Sequence, residues 1–162
     1  MTSEKMNLVE FINQQKLSEA LTIKEVQIFL DYTDVVSYQK NEIIADIGEV
    51  GEALYFVIEG STGLYHEDAG EETEVGTGTP GELMGEMSFF DREPRSVRMK
   101  AKENNTKLLK LSRIMYQRIR IEHPFIAVNL LEHAIVSLDH LFRRVSSDVA
   151  TYSHFLYGKG KH

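Results

Sequence analysis

Residues 81–96 read Gly81-Glu82-Leu83-Met84-Gly85-Glu86-Met87-Ser88-Phe89-Phe90-Asp91-Arg92-Glu93-Pro94-Arg95-Ser96. Gly85 has no side chain, so the backbone at this position can approach a bound ligand closely. If Glu86 to Phe90 form a helical turn, the free N–H groups at its start favour an anion. Arg95 can donate a planar pair of hydrogen bonds to a phosphate, and Glu86 can accept hydrogen bonds from hydroxyl groups. Together these residue types fit a phosphate joined to a ribose.

Two further blocks flank this segment in the chain. Residues 48–60 combine a glycine-rich turn with a β-rich run, and residues 108–113 read Leu108-Leu109-Lys110-Leu111-Ser112-Arg113. With Gly85-Glu86 and Pro94-Arg95-Ser96 between them, the blocks resemble the cyclic-nucleotide-binding domain of catabolite-activator-type regulators, cyclic-nucleotide-dependent kinases and gated channels. The resemblance covers roughly residues 10–145.

The resemblance implies a phosphate-binding cassette at residues 81–97 and a set of ligand-binding residues. The implied set is Leu64, Val75, Gly85, Glu86, Met87, Ser88, Arg95, Ser96, Val97, Leu141, Phe142 and Arg143. Leu64 and Val75 align with positions that line the base, and ordinary core packing is the alternative for both. The chain departs from the family's pattern at Met84, Ser88 and Val97, which affects the fit of the pocket but not its charged groups.

The pattern along the chain predicts an α+β fold in a single domain, residues 1–162. N-terminal helices are expected within residues 1–34, where Thr22-Ile23-Lys24-Glu25 has the form of a capping box. Short β-rich runs separated by glycine and asparagine fill residues 35–111. The resemblance specifies a small antiparallel β jelly-roll barrel for this region. Residues 112–156 are expected to form C-terminal helices, including one long helix.

The long helix is predicted to begin at Pro124, which suits the first helical position. Its apolar residues form two stripes: Ala127, Leu131, Ala134, Leu138, Leu141 and Val145 in steps of four and three, and Val128, Ile135, Phe142 and Val149 every seven. Two adjacent stripes can contact the domain and a partner helix at once. Because the family's equivalent helix often pairs with its twin, a homodimer through helix 124–149 is expected; one wide core-facing stripe is the alternative.

The resemblance also places the end of this helix near the open side of the base. Leu141 and Phe142 would cover the base, and Arg143 would stack its guanidinium over the purine. The alternative for Arg143 is a solvated cation near a helix C-terminus, where positive charge is favourable.

Composition argues against several classes of protein. The chain has no cysteine, which excludes disulfides, thiolate metal sites and a cysteine nucleophile. No apolar run approaches membrane-spanning length, so a cytoplasmic protein without a membrane partner is expected. Residues 1–111 carry 11 basic against 21 acidic side chains, a charge of −10. Direct DNA binding is therefore not expected.

The sequence does not contain the residues that a metal site or a catalytic site would need. A jelly roll with a strand-borne metal needs several histidines, and His66 is the only one before residue 123. His133 and His140 are interpreted as partly exposed helix residues. No nucleophile elbow or paired-carboxylate motif occurs, so we expect neither a metal nor an enzyme.

The sequence therefore predicts a cyclic-nucleotide-binding regulatory domain. It would signal through its C-terminal helix to an effector protein that the sequence does not identify. Family members with threonine after the cassette arginine tend to prefer the guanine nucleotide, so Ser96 favours cyclic AMP, with cyclic GMP as the alternative ligand. Two alternatives stay open: a fragment of a larger cyclic-nucleotide-regulated transducer, and a jelly-roll interaction protein with no ligand.

Overall fold

Two helices precede the strands. The structure, a computed structural model, describes residues 3–14 and 21–138. Helix α1 spans Ser3–Asn13 and helix α2 spans Ile23–Asp31. The Thr22 hydroxyl accepts a hydrogen bond from the Glu25 N–H at 3.2 Å, and the Glu25 carboxylate accepts one from the Thr22 N–H at 3.1 Å. This reciprocal pair satisfies two otherwise unpaired N–H groups and confirms the predicted capping box.

Eight short strands follow and form two sheets. They are β1 (Asp34–Tyr38), β2 (Ile43–Ala45), β3 (Ala53–Glu59), β4 (Thr62–Asp68), β5 (Glu71–Gly78), β6 (Leu83–Met84), β7 (Arg98–Ala101) and β8 (Thr106–Ser112). One sheet has the order β1-β8-β3-β6 and the other the order β2-β7-β4-β5. All of the strand pairs within them are antiparallel. The predicted α+β fold with an antiparallel jelly roll is confirmed.

Strand β3 shows where the core lies. Successive side chains of a strand point to opposite faces of its sheet. Leu54 and Phe56 lie in a core with the helices, whereas Tyr55 and Val57 lie in a second core with residues of the other sheet, such as Met99. The first sheet is therefore covered on both faces, which explains why β3 is a continuous apolar run.

Three further helices lie between residue 85 and residue 138, where the described part of the chain ends. Helix α3 spans Glu86–Asp91 and helix α4 spans Arg113–Glu122. Residues 124–138 are also helical and are called α5 here; Pro124 is its first residue, as predicted. No helix in the described ranges has the length and apolar character needed to cross a membrane.

Helix α5 presents different residues to the core and to solvent. Ile126, Ala127, Leu130 and Ala134 are buried in the same core as Phe56. On another face, Val128, Leu131 and Ile135 are exposed by 47%, 38% and 65%. The predicted stripe of Ala127, Leu131, Ala134 and Leu138 is thus divided, because its alanines contact the domain and Leu131 faces outward. The predicted positions from His140 to Val149 lie outside the described residues.

Candidate functional site

A cavity of about 1100 Å³ is lined by the cassette, by strands of the second sheet and by α5. Residues 79–88 and 93–97 supply most of its wall. Leu64 and Gly76 contribute from β4 and β5, and residues of α5 between Asn129 and Ser137 complete it. The cavity therefore brings together segments that are far apart in the sequence.

Gly85 forms the turn that starts helix α3. Its φ of 85° lies in the left-handed region, which side chains other than glycine rarely adopt. A Cβ atom here would lie 3.4 Å from both the Ala53 carbonyl oxygen and a guanidinium nitrogen of Arg95. Because Gly85 is the N-cap residue, α3 has no capping hydrogen bond from an N-cap side chain. The predicted helical turn from Glu86 to Phe90 is present.

Glu86 is a buried carboxylate in this wall. Its side chain is only 8% exposed, and Oε1 accepts a hydrogen bond of 2.9 Å from the Ser137 hydroxyl. Burial raises the pKa of Glu86, while hydrogen bonds from its own backbone N–H and from Ser137, and the charge of Arg95, oppose that rise. A buried carboxylate that already accepts from a hydroxyl is suited to recognising hydroxyl groups.

Arg95 brings a positive charge to the same cavity. Its backbone is held in place, because its N–H donates to the Glu49 carbonyl and its carbonyl accepts from the Gly48 N–H, each at 2.8 Å. Its Nε is buried and has no hydrogen-bond partner in the described part of the chain. An unpaired buried polar group is unfavourable, so a hydrogen-bond acceptor placed next to this atom would stabilise it.

Ser88 has its hydroxyl engaged within the protein. The Oγ atom accepts from the Gly51 N–H at 2.7 Å and donates to the Glu93 carbonyl at 2.6 Å. A Cβ atom on Gly51 would lie 2.7 Å from the Phe89 nitrogen, so only glycine permits this approach. Ser88 lines the cavity, and its hydroxyl also connects the cassette to the turn that contains Gly51 by a hydrogen bond.

The two predicted strand positions have different outcomes. Leu64 lines the cavity, whereas Val75 is not among the lining residues and is 53% exposed. The register shifts in the β4–β5 pair: Leu64 pairs with Gly76, and Tyr65 pairs with Glu74. Val75 is the extra residue of this bulge, so the structure turns it away and places Gly76 at the cavity instead.

Three other predicted residues of the cassette also contribute to the cavity wall. Met87, Ser96 and Val97 all line the cavity. Leu141, Phe142 and Arg143 lie outside the described residues. No three side chains of histidine, cysteine, aspartate or glutamate converge as a metal site within residues 3–14 and 21–138.

The sequence pattern did not single out the residues that α5 contributes. The cavity wall includes Asn129, Glu132, His133, Val136 and Ser137, which all precede the residues predicted to cover the base, Leu141 to Arg143. Asn129, His133 and Ser137 are polar and recur every four residues, on a side of the helix outside the two apolar stripes. That spacing puts them on one helical face and was the signal available in the sequence.

His133 is the residue with an aromatic ring on this helical face. It stacks on Phe56 with the ring centroids 6.3 Å apart and an angle of 25° between the planes. Burial lowers the pKa of the His133 imidazole, so the neutral form predominates at neutral pH.

The chain is similar to known cyclic-nucleotide receptors. It is 36% identical to the cyclic AMP receptor protein of Thermus thermophilus over 115 residues, which are 70% of this chain but 53% of that protein. The crystal structure of the Thermus thermophilus catabolite activator protein matches with a TM-score of 0.69 and 31% identity, covering 85% of this chain and 64% of that one. A cyclic nucleotide-binding domain from Methylobacillus flagellatus matches in fold, with a TM-score of 0.79, 20% identity and coverage of 92% and 84%.

Residues 35–122, more than half of the chain, match the family model of the cyclic nucleotide-binding domain. This range begins just after α2, ends with α4 and contains the whole cassette. The chain therefore belongs to the cyclic nucleotide-binding domain family.

Proposed function

We propose that this domain is a regulatory sensor that binds cyclic AMP in the cavity beside α3 and reports its binding to an effector protein. One observation supports the proposal above all. The same cavity contains a buried Arg95 Nε without a hydrogen-bond partner among the described residues and a buried Glu86 carboxylate. A cyclic nucleotide has one anionic group and one free ribose hydroxyl, which match these two side chains in charge and hydrogen bonding.

Arg95 is assigned to the cyclic phosphate. Its guanidinium can donate two parallel hydrogen bonds to phosphate oxygens, and it is the Lys or Arg side chain among the described residues that line the cavity. Gly85 supports the assignment, since a side chain there would crowd the Arg95 guanidinium. The N-terminal turn of α3 lies in the same cavity wall, and a helix N-terminus favours an anion.

Glu86 is assigned to the ribose 2′-hydroxyl. A carboxylate beside the phosphate would repel it, so a role as hydroxyl acceptor is the favourable one. Burial strengthens such a hydrogen bond, because little water is present to compete for the carboxylate.

The base is assigned to the part of the cavity formed by Leu64, Val97 and Met99. These apolar side chains suit the faces of a purine. Ser96 beside the cassette arginine supports cyclic AMP over cyclic GMP, as does the 36% identity to a protein named as a cyclic AMP receptor. We also propose that the base is covered by Leu141, Phe142 and Arg143.

Signalling is assigned to the C-terminal helix and a homodimer. The exposed stripe of Val128, Leu131 and Ile135 supports a second copy as the partner of helix 124–149. Because the match spans about half of the cyclic AMP receptor protein, the output is assigned to an effector protein or to a larger transducer that contains this domain. Neither catalysis nor direct DNA contact is part of the proposal.

Isothermal titration calorimetry with cyclic AMP and cyclic GMP tests the proposal. We expect saturable binding of one ligand per chain, with the smaller dissociation constant for cyclic AMP. Binding of neither nucleotide would refute the sensor function. Tighter binding of cyclic GMP would refute only the assignment of the base preference.

A further inference from the structure

Arg113 is a largely buried cation at an unfavourable place in its own helix. It is the first residue of α4, and its side chain is 15% exposed. Positive charge is unfavourable at a helix N-terminus, because the free N–H groups there carry partial positive charge. The first turn of α4 contains no acidic residue that would offset it. The carboxylate of Glu52 lies 3.5 Å from Arg113 Nε, but its side chain is 74% exposed, so this ion pair contributes little.

The Arg113 guanidinium contacts the end of the cassette helix instead. Its Nη2 donates to the Phe89 carbonyl oxygen at 2.7 Å and also to the Gly51 carbonyl oxygen. Phe89 belongs to the last turn of α3, where carbonyl groups have no partner within the helix. The guanidinium carbon also lies 4.4 Å from the centroid of the Phe89 ring. The charge that is unfavourable for α4 is therefore favourable for the C-terminal end of α3.

Gly51 is the second backbone group that Arg113 fixes. Its carbonyl accepts from Arg113, and its N–H donates to Ser88 Oγ at 2.7 Å, so both of its polar groups are bonded. A Cβ atom on Gly51 would lie 2.7 Å from the Phe89 nitrogen and 3.0 Å from a guanidinium nitrogen of Arg95. Gly51 therefore lies directly against α3 and against the cation assigned to the phosphate, and its position limits the positions open to both.

We propose that Arg113 is a positioning residue for the ligand site. This inference rests on the proposed function, because it takes Glu86 and Arg95 as the groups that contact the ligand. Glu86 is the first residue of the short helix α3, so the bond to the Phe89 carbonyl sets where the Glu86 carboxylate lies. Arg95 is positioned through its packing against Gly51. Arg113 itself is not among the residues that line the cavity, and it acts on the ligand only through these neighbours.

The test compares Arg113→Ala with wild type by calorimetry, using cyclic AMP and its 2′-deoxy analogue. Wild type should prefer cyclic AMP by about tenfold to a hundredfold, the range for one hydrogen bond to a charged group. Arg113→Ala should bind cyclic AMP more weakly, and the preference should fall by at least about threefold, because a hydrogen bond weakens steeply when its geometry is lost. A smaller folded fraction alone would raise both dissociation constants by one factor and leave their ratio unchanged. The ratio therefore separates positioning from a loss of stability.

Two further variants accompany this measurement. Arg113→Lys keeps the charge but not the planar fork, so it should lower the ratio in the same direction and by less, and it replaces the alanine variant if that one does not fold. Arg118→Ala is the matched control on the same helix. Arg118 pairs with Glu122 at 3.1 Å and lies over the Tyr32 ring, so its removal also costs an ion pair and a ring contact. It should keep the wild-type ratio, because it does not contact α3.

Hydrogen exchange of the free protein gives a readout that needs no ligand. The amides of residues 86–91 should exchange faster in Arg113→Ala than in wild type, because the end of α3 loses its partner. The same amides should exchange at the wild-type rate in Arg118→Ala.

The outcomes separate the positioning role from the proposed function. If wild type prefers cyclic AMP and the Arg113 variants keep the same ratio, positioning is refuted and the sensor function stands. An equal fall of the ratio in Arg118→Ala would also refute it, since the effect would then not depend on contact with α3. Equal affinities of wild type for the two nucleotides would refute the route through Glu86. If wild type binds neither nucleotide, the proposed function fails and the ligand role of Arg113 fails with it, while hydrogen exchange still shows whether this arginine fixes α3.

Discussion

Arg95→Ala should abolish most of the affinity for cyclic AMP without destabilising the free protein. Two charge-assisted hydrogen bonds of about 1.5–3 kcal/mol each would be lost, which gives at least about 3 kcal/mol. Since about 1.4 kcal/mol corresponds to a factor of ten, the dissociation constant should rise at least ~100-fold. Lysine should restore little of this, because its point charge does not reproduce the planar fork of arginine.

The stability of the free protein provides a second readout. The Arg95 Nε is buried without a partner in the described residues, so removing the guanidinium should leave the unfolding temperature unchanged or raise it. With cyclic AMP at 100 times the wild-type dissociation constant, the ligand should stabilise wild type by about 2.7 kcal/mol. A 100-fold weaker variant should gain only about 0.4 kcal/mol under the same conditions. For a domain of this size, the shifts are about 5–11 °C against about 1–2 °C.

Arg92→Asn is the matched control. Arg92 belongs to the same segment but is exposed and does not line the cavity. Its φ of 61° lies in the left-handed region, which asparagine tolerates. The control removes one positive charge and should bind cyclic AMP within about threefold of wild type. A dissociation constant for Arg95→Ala close to that of wild type would refute the phosphate assignment, and a large loss of stability in the free variant would indicate a structural role instead.

Three further predictions test the ribose site, the dimer and the cassette. Wild type should bind 2′-deoxy cyclic AMP more weakly than cyclic AMP in calorimetry, whereas Glu86→Ala should bind the two about equally; continued discrimination by the variant would show that Glu86 has another role. Light scattering should show a dimer for wild type and a folded monomer for Leu131→Asp with Ile135→Asp, because charges would enter an apolar contact; a monomeric wild type would contradict the interface. Ser88→Ala should lower the free energy of unfolding in urea by about 2–3 kcal/mol, because it leaves the Gly51 N–H buried without its acceptor; an unchanged denaturation midpoint would show that the bond contributes nothing.

Local features of this fold could be predicted from the sequence. The capping box of Thr22 and Glu25 is confirmed because its atoms lie within one helical turn and need no distant partner. The helical turn after Gly85 and the start of a helix at Pro124 are correct for the same reason.

The composition of the cavity wall was most predictable where its residues belong to one segment of the chain. Most residues of the cassette between Gly85 and Val97 lie together in the cavity wall, because they are neighbours in the chain. Val75 does not, since the bulge opposite Leu64 changes which residue of β5 faces the cavity. A period of two cannot reveal where a strand gains an extra residue.

The contacts between distant segments were decided by the tertiary structure alone. The hydroxyl of Ser88 is satisfied by Gly51, and the carboxylate of Glu86 is met by Ser137 from another helix. The spacing of polar residues in α5 indicates that they share a face, but it does not say what that face meets. The direction of the face depends on which apolar residues of α5 enter the core, and Ala127, Leu130 and Ala134 decide this by packing against the helices and the first sheet. The sequence thus determines the chemistry available in each segment, and packing determines which of those groups come within hydrogen-bonding distance.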